Sequence, residues 1–269
     1  MSRMAQCFER LANEGRKALI PYIVAGDPVK DITITVMHEM VTKGANIIEL
    51  GVPFSDPEAE GPVIQLAHER ALKHGTSLRD TCQMVAEFRK TDSQTPVVLM
   101  GYLNPIEKMG HDTFASLAAA SGVDAILIVN LPPEEGEELN QALLDKGIHN
   151  ICLLAPTTTD ARAEYLCNRA HGFIYYVSLK GTTGAATINM QEVKARLDEL
   201  RHFASIPMVV GFGIKDGETA AAVASFADGS VVGTAVVNLF EVEQHNPEKI
   251  IRKVGDLIAD MRQAMDSSS

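Results

Sequence analysis

Two carboxylates bracket the stretch NIIELGVPFSDPEAEGP at 46–62, Glu49 inside it and Glu60 towards its end. Ile47, Ile48, Leu50 and Val52 surround Glu49 with the β-branched, apolar pattern of a strand buried on both faces, where a charge is costly. No Lys or Arg stands between Lys43 and Arg70, so Glu49 has no basic neighbour in sequence. Burial raises the pKa of such a carboxyl towards neutrality, which suits a proton shuttle near pH 7; the competing reading is a satisfied core Glu. Gly51, Pro53 and Pro57 punctuate the residues after Glu49, so 54–61 reads as an exposed, acidic loop. On residue type alone, Glu60 is as consistent with a surface acid as with a catalytic one.

The elements that must carry these residues alternate along the chain. Met4, Cys7, Phe8 and Leu11 predict a helix over 3–13 that caps or flanks a barrel. Apolar runs predict strands at 18–24, 46–52, 96–101, 124–129, 150–154, 172–177, 206–210 and 229–232. Helical patterns fall between them at 29–43, 63–74, 78–90, 111–120, 159–168, 190–203 and 216–226, with another opened by Pro132, Pro133 and the glutamates after them. Thr158 or Thr159 caps the helix at 159–168, and a short helix near 235–240 and a long one at 247–265 end the chain. Strand and helix alternate without a compositional break, which predicts an α/β fold, a single (β/α)8 TIM barrel over 1–269 with extra helices at the N-terminus and after strand eight. A doubly wound sheet would carry GxGxxG after its first strand, and GDP stands there instead.

Composition narrows the function. A net charge of −11 and the lack of clustered Lys and Arg argue against nucleic acid. The four cysteines, Cys7, Cys82, Cys152 and Cys167, have no CxxC spacing and read as thiols in a reducing compartment; the eight histidines include no HExxH pair, so no metal is indicated. No apolar run approaches ~20 residues and the amphipathic start is no signal peptide, so neither a membrane span nor export is expected, and the expected location is the cytoplasm.

In a barrel the loops after strands seven and eight commonly hold phosphate. GFGIKDG at 211–217 leaves strand seven, and VVGTAVV at 231–237 runs through a Gly-Thr step into the short helix, whose leading amides attract an anion. KGTTGAAT at 180–187 is long enough for a lid and equally reads as a plain surface loop.

ELGVPFSDPEAEGPVIQ at 49–65, succeeded in order by GTTGA, GFGI and VGTAVV and preceded by PYIVAGDP, resembles the tryptophan synthase alpha subunit family, with the resemblance running from about Phe8 to the final helix. That resemblance implies cleavage of indole-3-glycerol phosphate to indole and glyceraldehyde 3-phosphate, without a cofactor in the alpha chain. It also implies an alpha2beta2 assembly in which indole passes through a tunnel to a pyridoxal-phosphate beta subunit. By position it makes Glu49 the group that protonates indole C3 and deprotonates the glycerol hydroxyl, and Glu60 the acid that holds the indole N–H. Thr183 matches a lid residue, and Gly184, Gly213, Gly233 and Thr234 match the phosphate cradle. Tyr22, Met100, Tyr102, Val129, Tyr175 and Phe212 match the indole pocket, and a rim of Pro53, Phe54, Asp56, Asn104 and Pro132 matches the beta-facing edge. The family usually has Asp where Glu60 stands, one methylene shorter, and an apolar residue where Glu58 stands, so Glu58 brings a like charge near Glu60.

Two other readings remain open on the sequence. A sugar-phosphate isomerase or epimerase would share the glycine loops without needing PFSDP, and a regulatory chain would bind the beta subunit without turnover.

Overall fold

Ala18–Val24 reads ALIPYIV and every residue in it is buried, as a strand covered on both faces requires. It is β1 of a parallel sheet in the computed structural model, which describes residues 1–177, 189–211 and 213–267. The other strands are β2 Ile48–Gly51, β3 Val97–Gly101, β4 Ala125–Ile128, β5 His149–Asn150, β6 Cys152–Leu154, β7 Ile174–Val177, β8 Met208–Gly211 and β9 Gly229–Val232. Their order is β5-β4-β3-β2-β1-β9-β8-β7-β6, all pairings being parallel. The sheet's two ends, β5 and β6, are separated in the chain by Ile151 alone, so the sheet curls into a nearly closed TIM barrel.

The one strand expected at 150–154 is therefore two. His149–Asn150 pairs with β4, Cys152–Leu154 pairs with β7, and Ile151 between them still donates its amide to Ile126 O at 2.8 Å. Alternation along the strands sorts the core into two sides. Leu19, Ile23, Ile48, Leu50, Leu99 and Ile126 pack outwards against helices, whereas Ile20, Ile47, Val98, Leu127, Ile151, Phe173, Val209 and Val231 fill the barrel.

The helix Arg3–Asn13 closes the end where the strands begin, which decides between capping and flanking. Met4, Cys7 and Leu11 join the barrel's inner cluster, and Phe8 lies with its ring 6.0 Å from that of Phe173. Cys7 Sγ donates to Asn46 O just ahead of β2, and Arg3 pairs with Asp124 just ahead of β4. Thr159, not Thr158, caps the helix Asp160–Cys167, accepting from the Arg162 amide.

Two loops differ from expectation. The fourth predicted helix starts at Glu137, because Pro132–Gly136 first makes a turn in which the Glu135 and Gly136 amides reach Pro132 O. A seven-residue helix, Leu103–Met109, comes after β3 where none was predicted. Pro105 fits its first turn, where no intrahelical donor is needed. Among the described residues no helix is long and apolar enough to cross a membrane.

Candidate active site

Ile47 points into the barrel, so Glu49 and Gly51, two and four residues on, point the same way, nearer the end where the strands finish. Glu49 is 2% exposed, and its Oε1 has no hydrogen-bond partner. Arg70, the first basic residue after Lys43, is held elsewhere: it grips buried Asp27 through two bonds of 2.6 and 2.9 Å. Burial, with a smaller push from Glu60, raises the Glu49 carboxyl to a pKa of about 8. It is therefore a protonated acid near neutrality, able to give a proton and take it back.

Tyr22 in β1 stands opposite Glu49 in register. The phenol lies across β2 at Gly51, where a Cβ would sit 2.3 Å from the Tyr22 hydroxyl oxygen, so the tyrosine packs flat only because position 51 is glycine. Across the barrel the arrangement repeats: a Cβ at Gly211 of β8 would lie 2.1 Å from the hydroxyl of Tyr175 in β7. Burial and the fields of both Glu49 and Glu60 push both phenols up, so Tyr22 and Tyr175 keep their protons.

The loop from β2 to the helix Pro62–Lys73 is less exposed than its polar sequence suggests. Ser55, Asp56, Glu58 and Ala59 face solvent, but Pro53, Pro57 and Glu60 are buried. Tyr102, just beyond β3, is the reason. Its hydroxyl donates to Glu60 Oε2 and accepts from the Ala59 amide at 3.1 Å, while its ring stacks on Phe54 with centroids 4.9 Å apart. Gln65 adds a bond of 2.9 Å to the Glu60 carbonyl. Burial raises the Glu60 pKa, the Tyr102 bond opposes the rise, and exposed Glu58 adds a small push in the same direction as burial. Of the predicted rim, Asp56, Asn104 and Pro132 are exposed, Phe54 is half-buried under Tyr102, and Pro53 is buried.

Met100 in β3 packs between the inner cluster and the one around Tyr22, and half-buried Val129 packs on the inner cluster. Gly213 adopts φ +75°, which favours glycine, and is exposed. Gly233 begins the helix Thr234–Val242 with no side chain capping it, and its nearest neighbours on the Cβ side are Ile64 at 3.8 Å and Tyr22 at 3.9 Å. An uncapped helix start thus borders the same mouth as Tyr22, a favourable place for an anion. Thr183, Gly184 and Phe212 lie outside the described residues.

One site residue escaped the sequence reading. His68, 1% exposed on the helix Pro62–Lys73, accepts the Phe54 amide on Nδ1 at 3.0 Å and meets the Tyr22 hydroxyl through Nε2 at 3.3 Å. Its only sequence signal is a His between the small residues Ala67 and Ala71 on the helix's buried face.

Two buried carboxylates among three tyrosines in a parallel barrel define a protein of the β/α-barrel class whose site holds groups able to give and take protons. The chain belongs to the tryptophan synthase alpha chain family, whose family model matches residues 8–266. It is 55% identical to the tryptophan synthase alpha chain of Thioalkalivibrio sulfidiphilus over 266 residues, 99% of this chain and all of that one. Among solved structures, tryptophan synthase subunit alpha from Legionella pneumophila is similar with a TM-score of 0.92 and 43% identity, covering 99% of both chains. A chain of the tryptophan synthase a2b2 complex from Pyrococcus furiosus is similar with a TM-score of 0.79 and 34% identity, covering 91% of this chain and 98% of that one.

Proposed function

We propose that the chain cleaves indole-3-glycerol phosphate to indole and glyceraldehyde 3-phosphate, with Glu49 as the proton shuttle. The observation that carries this assignment of roles is the buried Glu49 carboxyl, without a basic partner and raised to a pKa of about 8. In its acid form Glu49 protonates indole C3, and positive charge spreads to the ring nitrogen. Glu60, with Oε2 committed to Tyr102, offers its other oxygen to the ring N–H and stabilises that charge. The Glu49 carboxylate then takes the proton of the glycerol hydroxyl next to the ring. The carbon–carbon bond breaks, its electron pair restores the neutral indole, and the hydroxyl carbon leaves as the aldehyde. Glu49 ends protonated as it began, now carrying the hydroxyl's proton, while its first proton stays on indole C3. The protonated ring is the electron sink for the cleavage, a role that a Schiff base fills in other aldol cleavages.

Tyr22, Met100, Tyr102, Val129 and Tyr175 form the walls around the indole in this reading, together with Phe212. Gly213, Gly233 and Thr234 hold the phosphate together with Gly184, and Thr183 belongs to the lid. The exposed Asp56, Asn104 and Pro132 face a beta subunit, in an alpha2beta2 assembly like that of the Pyrococcus complex, working in the cytoplasm.

The test is indole release from indole-3-glycerol phosphate, measured with and without a beta subunit. Glu49→Gln is expected to fold and to lose at least ~10²-fold in turnover, the range for a positioned acid-base group. Near-full activity of that variant would remove Glu49 from the chemistry.

A further inference from the structure

His68 fixes more than the loop it touches. Nδ1 accepts the Phe54 amide, so that nitrogen carries a lone pair and not a proton. The ring is buried, and burial lowers its pKa to about 4, so it is neutral near pH 7. A neutral imidazole with a bare Nδ1 has its proton on Nε2, which therefore donates to the Tyr22 oxygen at 3.3 Å. The tautomer thus decides the direction of the hydroxyl: the Tyr22 O–H proton cannot point at His68 and must point away from it.

The Tyr22 hydroxyl makes no other hydrogen bond among the described residues, and on the neighbouring strand, in register, Glu49 has a buried oxygen without a donor. The Tyr22 side chain leaves β1 opposite Glu49 and runs along β2 to Gly51, so this donor and this acceptor are neighbours on adjacent strands without being hydrogen-bonded to each other. The other titratable groups facing this point are Glu60, Tyr102 and Tyr175; Arg70 is bound to Asp27. No cation among them competes for the Glu49 carboxylate.

We infer that His68 is a positioning residue for the lyase reaction, acting through Tyr22: it turns the Tyr22 hydroxyl so that its proton is offered to the Glu49 carboxylate formed when the acid gives its proton to the substrate. The inference rests on the shuttle role of Glu49 and adds the group that stabilises the shuttle's charged half-cycle. The hydroxyl does not give up its proton; it shares it in a hydrogen bond with the carboxylate. His68 never touches the reacting atoms.

The consequence appears in a pH profile, which a purely structural role would leave in place. Glu49 must begin protonated, so activity falls as pH rises through its pKa, and a donor to the carboxylate sets that basic limb lower than it would otherwise lie. Tyr22→Phe keeps the ring and removes the donor. It is expected to lower kcat by about tenfold with little change in KM, and to move the basic limb of kcat up by about one pH unit. His68→Leu is expected to shift the limb in the same direction, His68→Gln, which restores a donor to Tyr22, to shift it less, and Tyr22→Phe in the His68→Leu background to add nothing further. Should His68→Leu fail to fold, Tyr22→Phe and His68→Gln carry the test alone. A parent chain that releases no indole would overturn the proposed function and this inference with it. A parent that turns over while Tyr22→Phe leaves its basic limb in place, or while the two effects simply add, would overturn this inference only.

Discussion

The Tyr102 hydroxyl donates its proton to Glu60 Oε2, so the acid of the β2 loop is held in place from β3 before any substrate arrives. The same oxygen accepts the Ala59 amide, and the Tyr102 ring is covered by Phe54. A glutamate has one more torsion to freeze than the family's usual aspartate, worth roughly 0.5 kcal/mol. Tyr102 freezes it in advance, which leaves Oε1 for an indole N–H.

This arrangement predicts an interaction between positions 60 and 102. Tyr102→Phe is expected to lower indole release by about tenfold in the parent, since a hydrogen bond to a charged group is worth roughly 1.5–3 kcal/mol. Glu60→Asp withdraws the carboxylate by a methylene and is expected to keep turnover near its starting value or raise it. In the Glu60→Asp background Tyr102→Phe should then cost clearly less. Glu60→Ala should abolish turnover with little loss of affinity for a phosphate ligand. Single-turnover indole release by the four variants is the measurement, and an active Glu60→Ala would show that this carboxylate has no part in the chemistry.

The sequence made Glu49 legible because the evidence for it is local: an acid inside Ile47, Ile48, Leu50 and Val52 with no base nearby in the chain. β1 and the helix Arg3–Asn13 were equally legible, one from seven consecutive apolar residues and the other from a single apolar stripe. His68 was not, because its meaning depends on Tyr22, 46 residues away, and on the Phe54 amide. The burial of Glu60 was hidden for the same reason: its partner Tyr102 lies 42 residues on, and the loop's own composition is polar. The break at Ile151 is set by pairing to β4 on one side and β7 on the other, which no local pattern records. Leu103–Met109 is too short for a period to show, and its proline reads as a breaker until its place in the first turn is known.

The site's acid should also cost the fold stability at high pH. Glu49 titrates at about 8 in the folded chain, against an ordinary value of 4.5, so between those pH values the folded state keeps a proton that the unfolded chain releases. Stability from this residue therefore falls as pH rises from about 4.5 to about 8 and is flat beyond. Glu60 and Asp27, also raised, add slopes of the same sign, so the informative quantity is the difference between parent and Glu49→Gln. Denaturant midpoints should show a gain for Glu49→Gln that is larger at about pH 8.5 than at about pH 5.5. Parallel curves for the two proteins would contradict the buried, raised carboxyl.

Gly51→Ala probes the fit between β1 and β2 directly. The new Cβ would stand 2.3 Å from the Tyr22 hydroxyl oxygen, 2.7 Å from the ring carbon that bears it and 3.0 Å from the next, all closer than packed atoms come. Tyr22 cannot swing aside freely, because its hydroxyl is tied to His68 and its ring is buried among Val24, Ala67, Ala71 and Val237. Overpacking of this kind costs about 1–3 kcal/mol, read as a lower thermal midpoint. The displaced phenol would also leave its place opposite Glu49, so indole release should fall together with stability. Tyr22→Phe removes the closest of the three contacts but not the ring carbon at 2.7 Å. The double variant should therefore be less destabilised than the sum of the singles, without recovering the parent midpoint. Additive losses in the thermal midpoint would mean that the alanine methyl is accommodated by movement of β2, and that Tyr22 does not need glycine beside it.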